Sequence, residues 1–361
     1  HMRRSPMGDF FSKVGRTDAF GRLTVDNVPE GAFTMRVFNP ISTAMVTEAS
    51  GVIAIDGEVV SVPVVVPIDQ PPTVAITANV HGDEATGLAA VLQLQSHLEV
   101  HLSKGTVVLY PSLNPQGLRL QQRPVPADGV DLNRTFPGDS DESGAEGVAG
   151  RLWADLKGRR IDLLLDLHAD SSVSVPYAIK DRPVRLGAAA RRNMEARLDR
   201  LADASGLLVL EEYPDDLYVR FRLDKSLAGA VVNDLQVPAL TLEIGPRRAV
   251  DPRAVATTVG AVLRILAAEG LVHDAPRVPA RGEGPMRRTS APRVRRPGVF
   301  VPSLAPGALF ARDEVLGVVR GLDGELRDEV RAPFRGVVVS WSEGAWLDAG
   351  AVPGTLGEAV G

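Results

Sequence analysis

The chain has no cysteine in its 361 residues. That excludes disulfides, thiolate metal ligands and a cysteine nucleophile, and it fits a reducing, cytoplasmic setting. Long apolar runs are also missing. No stretch reaches the roughly 18 uninterrupted apolar residues of a membrane span. The richest, residues 254–272, is broken by Arg264 and Glu269 and reads as an amphipathic helix. The opening His-Met-Arg-Arg-Ser-Pro has no apolar core for a signal peptide. Positive charge is not in excess. The formal net charge of −5 argues against a nucleic-acid partner, because such proteins present a basic face. Against these absences stand 44% hydrophobic and 24% charged residues, the composition of a globular protein. The length allows two domains, or one large domain with an appendage.

The stretch Ile76–Gly87 organises the rest. Val74 to Val80 is a short apolar run that reads as a buried strand. It ends in His81-Gly82-Asp83-Glu84, and a helical pattern runs from Ala85 to Leu98. A histidine at a strand end and a carboxylate three residues on, in the first helical turn, can converge on one ion. A second apolar strand, Ile161 to Leu167, ends in His168. His81, Glu84 and His168 then form a His₂Glu set with an open fourth position, the pattern of a catalytic zinc site. A lone histidine at a strand end is usually structural. Three partners at two strand ends outweigh that reading.

Residues 1–50 form a β-rich N-terminal segment of unassigned role, with turn signals scattered through Gly15–Val37. Residues 51–272 read as the catalytic domain. Val52–Ile55 and Val59–Val66 flank Asp56-Gly57, a hairpin signal. Thr106–Tyr110 is a third apolar strand. From Pro111 to Gly138 the chain reads as loop, because Pro and Gly break both periods. So long a loop in a compact domain is usually functional or disordered, and this one carries Arg123 and Asp131-Leu132-Asn133-Arg134. Helices are expected over Glu142–Lys157, Leu186–Ala204 and Val250–Ala268, and strands over Leu207–Leu210 and Ala239–Ile244. This alternation predicts an α/β fold, a mixed, largely parallel sheet covered by helices. Ligands bind beyond the carboxyl ends of strands in such sheets, where His81, Asn114, His168 and Glu243 fall. Residues 273–284 read as a linker. Residues 285–361, with β-prone runs at Gly298–Pro302, Val315–Arg320 and Gly336–Trp341, read as a small all-β domain.

His81-Gly82-Asp83-Glu84, Asn114-Pro115, Asp131-Leu132-Asn133-Arg134, Asp166-Leu167-His168 and Leu242-Glu243 together resemble the succinylglutamate desuccinylase and aspartoacylase family. These are zinc amidohydrolases related to the zinc carboxypeptidases. The resemblance covers roughly residues 50 to 361, β domain included. It implies a zinc carboxypeptidase-like fold and one zinc per chain held by His81, Glu84 and His168. It implies Glu243 as general base and Arg123, nine residues after Asn114, as the group that polarises the carbonyl. It implies Asn133 and Arg134 as the pair that binds a substrate carboxylate. Pro124–Val130 is longer than in aspartoacylase. The family's second substrate-binding arginine and its active-site tyrosine have no single match; Arg220, Arg222, Tyr213 and Tyr218 are candidates. Selectivity for an anionic acyl group is therefore left open.

The residue types suit that chemistry. Zinc brings the pKa of a water to about 7, and a positioned carboxylate can shuttle the proton to a leaving amine. Arg134 can hold a carboxylate through two parallel hydrogen bonds. Asp131 can accept the free ring N–H of a zinc histidine and fix its tautomer. Each has a plainer alternative. Arg134 can be a surface ion-pair residue, Glu243 can pair with Arg247, and Asp131 can be an ordinary turn residue. Asp170 reads as a cap, His97 and His101 as helix-end residues, and His273 as solvated. The C-terminal domain has the rhythm of a biotinyl or lipoyl carrier around Arg331–Gly336, but no lysine follows Lys225, so neither group has an acceptor. The expected function is a zinc-dependent hydrolase of N-acyl amino acids. A zinc carboxypeptidase and a non-catalytic zinc-stabilised binding module are the alternatives. The expected partner is a small N-acyl amino acid or short peptide, with no nucleic acid and no membrane; self-association is left open.

Overall fold

The computed structural model describes residues 72–277 and 286–360, and also the backbone of three N-terminal strands. Those strands, β1 (Met2–Arg3), β2 (Gly31–Phe38) and β3 (Met45–Ile53), form an antiparallel sheet in a unit of their own, residues 1–70. β3 runs through position 50, and the unit extends to residue 70. The hairpin expected at Asp56-Gly57 lies outside the described residues.

The second unit, residues 71–361, is built on one ten-stranded sheet. Its central strands are β4 (Thr73–Ala78), β5 (Thr106–Tyr110), β6 (Leu163–His168), β7 (Tyr177–Lys180), β8 (Leu208–Glu211) and β9 (Ala239–Glu243). The helices are α1 (Thr86–His101), α2 (Pro115–Leu120), α3 (Gly144–Arg159), α4 (Ala188–Ser205), α5 (Asp215–Arg220), α6 (Leu227–Ala230) and α7 (Pro252–Ala268). The C-terminal part adds β10 (Met286–Ser290), β11 (Gly298–Pro302), β12 (Leu309–Phe310), β13 (Val315–Arg320), β14 (Leu326–Arg331), β15 (Gly336–Trp341), β16 (Trp346–Leu347) and β17 (Gly354–Ala359).

The sheet order is β12-β15-β17-β10-β8-β7-β9-β6-β4-β5. β9, β6, β4 and β5 run parallel, β7 is antiparallel to β9, and β8 and β10 follow β7 in parallel. The fold is therefore a mixed, largely parallel sheet with helices, as expected. The remaining C-terminal strands form a separate antiparallel sheet, β14-β13-β11-β16. The other four join the central sheet, so the two parts share one hydrogen-bonded framework.

β4 and β6 are apolar except at Thr73, Thr77, Asp166 and His168, because both of their faces are covered. Side chains alternate across a sheet. Leu167 and Ala78 face α1: a Cβ on Gly87 would lie 2.9 Å from Leu167 Cβ and 3.3 Å from Ala78 Cβ. Thr77, Asp166 and His168 therefore take the opposite face, together with Glu243, which pairs with His168, and Tyr177, which pairs with Glu243. The site lies on that face.

Candidate active site

His81 lies three residues beyond β4, and His168 is the last residue of β6. Glu84 was expected in the first helical turn. It instead ends a turn before the helix, its N–H bonded to the His81 carbonyl at 3.1 Å, and α1 begins at Thr86. Asn79 holds this turn. Its backbone is left-handed (φ 55°), and its Nδ2 donates to the carbonyls of His81 (2.8 Å) and Glu84 (3.2 Å). Gly82 is needed because a Cβ there would come within 2.2 Å of the Gly117 backbone.

The turn brings three donors together. His81 Nδ1 is 2.7 Å from Glu84 Oε1, and His168 Nδ1 is 2.9 Å from Glu84 Oε2. All three residues are 3% exposed, and one ligand atom of each lies within 4.8 Å of the others. The outer ring nitrogens face carboxylates: His81 Nε2 meets Asp131 Oδ1 at 3.2 Å and His168 Nε2 meets Asp166 Oδ2 at 2.9 Å. Ionised carboxylates only accept, so with a cation at the centre each ring would carry its proton on Nε2. Each Nδ1 lone pair then meets an acceptor-only Glu84 oxygen, and the cluster requires a cation or added protons at its centre. Burial alone would raise the Glu84 pKa, but the two imidazoles hold it well below the carboxylate range. The His168 pKa rises well above normal, because Asp166 and Glu84 outweigh its burial. A His₂Glu donor set with carboxylate-oriented rings fits a divalent cation with an open coordination position.

Asp131 both faces the His81 ring and caps a turn. Oδ1 orients His81 and also accepts the Asn133 N–H at 2.9 Å, capping the short turn Leu132–Arg134. Its Oδ2 accepts from Arg123 Nε (3.3 Å) and Nη2 (3.2 Å). Arg123 Nη1 also lies 3.5 Å from Glu84 Oε1, and the side chain remains 39% exposed. The arginine assigned to the carbonyl thus borders the donor cluster. Its strand of loop is fixed by Asn114, whose Nδ2 donates to the carbonyls of Arg123 (3.4 Å) and Pro124 (3.1 Å). Asn133 Oδ1 accepts the Leu227 N–H at 2.8 Å, and its NH₂ end has no partner among the described residues. Arg134 lies beside it, its Nη1 on the Asn133 carbonyl at 2.7 Å. Burial pulls its pKa down against the opposing pull of Asp131.

Glu243 ends β9 directly across from His168. Burial, with Glu84 and Asp170 nearby, pushes its carboxyl up to about 7, against the pull of His168 and Arg288. Arg247 does not pair with it and reaches Glu343 at 3.8 Å. Asp170 accepts from the buried Tyr177 hydroxyl at 3.0 Å. The tyrosine and arginine candidates divide. Tyr218 is fully buried and donates to Asp181, Arg220 is exposed, and Arg222 donates to the Arg134 carbonyl. Tyr213 lies under Arg288, whose guanidinium carbon is 5.6 Å from its ring centre. Asp166 was named only as part of the Asp166-Leu167-His168 motif, with no role, and Tyr177 and Arg288 were not singled out in the sequence. The available signal for Asp166 was period-two alternation, which places it on the face of His168.

A mixed α/β sheet with a His-Glu-His donor set at adjacent strand ends defines the class: an α/β protein whose site fits a divalent cation. Residues 70–268 match the succinylglutamate desuccinylase/aspartoacylase catalytic domain, and the chain belongs to that family. It is 36% identical over 109 residues to the N-alpha-acetyl-L-2,4-diaminobutyric acid deacetylase of Halomonas elongata. That alignment spans 30% of this chain and 32% of the relative. Among solved structures, the product-bound ectoine utilization protein EutE (DoeB) from Ruegeria pomeroyi aligns at TM-score 0.67 and 20% identity, over 93% of this chain and 97% of that one. An aspartoacylase family protein from Mesorhizobium loti aligns at TM-score 0.66 and 20% identity, over 94% and 98%. At that identity the likeness is one of fold.

Proposed function

We propose that this chain is a zinc-dependent amidohydrolase that cleaves the amide bond of an N-acyl amino acid, releasing a carboxylate and an amine. Family membership supports the reaction class, and the Halomonas elongata relative, named a deacetylase, supports the acyl-amide bond. The observation that carries the reading is the register of β6 and β9. It sets Glu243, with a carboxyl titrating at about 7, beside one of three converging donors.

His81 Nδ1, Glu84 and His168 Nδ1 would hold the zinc, which supplies Lewis-acid charge and acidifies a water. Asp131 and Asp166 fix the two rings so that the Nδ1 lone pairs face inward. Glu243 accepts a proton from the attacking water and returns it to the leaving nitrogen. Arg123 swings from Asp131 and Glu84 to the carbonyl oxygen as negative charge develops. Losing such a donor costs about 3–4 kcal/mol in the transition state. Arg134 and the Asn133 amide N–H hold the substrate carboxylate.

The test is zinc content and turnover on one preparation. The protein should bind about one zinc per chain, and His168→Ala should lose metal and activity together. Glu243→Gln should keep zinc and melting temperature while kcat falls by about 10²–10⁴. A Glu243→Gln protein that is destabilised yet nearly fully active would remove Glu243 from the mechanism.

A further inference from the structure

Six histidines occur in the chain. His1 is terminal, and His81 and His168 belong to the donor set described above. The other three, His97, His101 and His273, meet at one place, the C-terminal end of α1. His97 and His101 are four residues apart on that helix, and His101 is its last residue. Residues at that spacing share one face of a helix, and two histidines so placed can grip one metal ion. Their rings are already together, stacked with centres 4.4 Å apart and planes 25° from parallel.

His273 comes from the chain just after α7. Leu102 and Val272 form an isolated antiparallel bridge. Ser103 clamps it, since its N–H and its hydroxyl both donate to the Leu271 carbonyl at 2.8 Å. In an antiparallel pairing the flanking residues are opposed in turn, so His273 stands across from His101. Opposed residues have Cβ atoms about 4.5–5.5 Å apart, a span that two imidazoles on one ion can close. His101 and His273 are exposed, and His97 is half-buried.

The helix dipole accounts for histidines at a helix end, but it leaves one fact over. His97 Nε2 is buried and has no partner. Such an orphan costs stability, and a metal ion would take up its lone pair. At 1.5 Å per residue, His97 is about 16 Å along α1 from Thr86, so the place is separate from the donors around Glu84. Among the described residues, only the His81-Glu84-His168 set holds three donor atoms within 4.8 Å of one another. Here the third ligand has to swing in, and His273 is exposed enough to do so.

We propose that His97, His101 and His273 form a second metal site, for a divalent ion that imidazole suits: Zn²⁺, with Ni²⁺ and Cu²⁺ as substitutes. The ion staples the end of α1 to the segment that leads from α7 toward the C-terminal part. No carboxylate joins the set and one ligand must be ordered, so the site is weaker than the first and empties on dialysis against zinc-free buffer. It does not depend on the deacylase reading.

The experiment starts from the full chain holding its first zinc and adds Zn²⁺, followed by calorimetry and equilibrium dialysis. Wild type should take up a second ion and melt at a higher temperature with it, because the ion binds the folded form. His97→Gln, His101→Gln and His273→Gln should each weaken the second ion by at least about 10-fold, since even the outer partners of metal ligands are worth about 10- to 100-fold. All three should keep the first zinc, and His168→Ala, which loses the first, should still take up the second. With ¹⁵N-labelled histidine in the wild-type chain, the second equivalent should move the ring signals of His97, His101 and His273 and leave those of His81 and His168; this readout requires no variant to fold. The proposal is overturned by the absence of a second ion, by a second ion held equally in any one of the three glutamine variants, or by a ring shift confined to His1.

Discussion

At the scale of single residues, Asp166 links the sheet to the donor cluster. It is fully buried, accepts from Thr77 Oγ1 at 2.7 Å and faces His168 Nε2 at 2.9 Å. Asp166→Asn nearly preserves the shape but replaces an obligate acceptor with an amide that can turn its NH₂ toward the ring. Zinc affinity should fall by about 10- to 100-fold, as for other lost partners of ligand histidines, with little change in the circular dichroism of the fold. Competition with a chelator reads this directly, and unchanged affinity would mean that the tautomer is fixed elsewhere. Asp181 is a second buried acid with a measurable consequence. Burial and Glu212 push its carboxyl up to about 7, while the Tyr218 hydroxyl, donating at 2.7 Å, pulls the other way. The unfolded chain releases this proton near pH 3.9, so between about 4 and 7 the folded form binds more protons than the unfolded form. This group therefore removes stability as pH rises through that window, and the effect is complete above about 7. Asp181→Asn keeps an acceptor for Tyr218 and should gain on wild type by up to a few kcal/mol at pH 8 relative to pH 4. Urea midpoints at the two pH values, wild type minus variant, decide it. A constant difference would show that Asp181 titrates normally.

At the scale of elements, Pro115–Leu120 was read as loop because proline and glycine break a helical period, and it is α2. Proline is tolerated at the first helical position, where its missing N–H has no partner to lose. Asn114 supplies the cap, with its Oδ1 on the Gly117 N–H at 2.9 Å. Its other end holds the Arg123 carbonyl, so one side chain both starts the helix and places the arginine. Asn114→Ala should cost about 0.5–2 kcal/mol of stability and lower kcat more than it raises KM, because Arg123 loses its anchor. A stability loss with unchanged kcat would detach the cap from catalysis. The strands that were legible, Thr106–Tyr110, Gly298–Pro302, Val315–Arg320 and Gly336–Trp341, recur with the same bounds. They are apolar runs fenced by glycine, proline or polar residues. β7 and β10 were not legible. Tyr-Ala-Ile-Lys is too short to show a period, and Met-Arg-Arg-Thr-Ser has no apolar alternation. Tertiary pairing makes both into strands, and Arg288 stayed hidden with β10. The donor cluster was visible because each member ends or follows an apolar strand. The orientation of its rings depends on side-chain positions that no sequence period encodes.

At the scale of the whole second unit, the sequence suggested a small β domain after a linker, whereas the sheet runs through both parts. One apolar cluster mixes Tyr177, Ile179 and Leu210 with Met286, Val337 and Val339. Backbone bonds stitch the same seam: the Val175 N–H reaches the Val339 carbonyl at 3.0 Å, and the Trp341 N–H reaches that of Val173 at 2.9 Å. Removing everything after residue 277 would leave β8 as an exposed edge, a template for aggregation. It would also uncover the apolar partners of Met286, Val337 and Val339, side chains whose burial contributes roughly 1.5–3 kcal/mol each. That total is comparable with the entire net stability of an ordinary domain, about 5–15 kcal/mol. The shortened chain should therefore melt far below the full chain or aggregate. Light scattering and calorimetry on chains ending at 277 and 361 test this. A soluble monomer of the shorter chain with the full-length melting temperature would show that the shared sheet contributes little. The C-terminal part would then be an appendage in energy as well as in sequence.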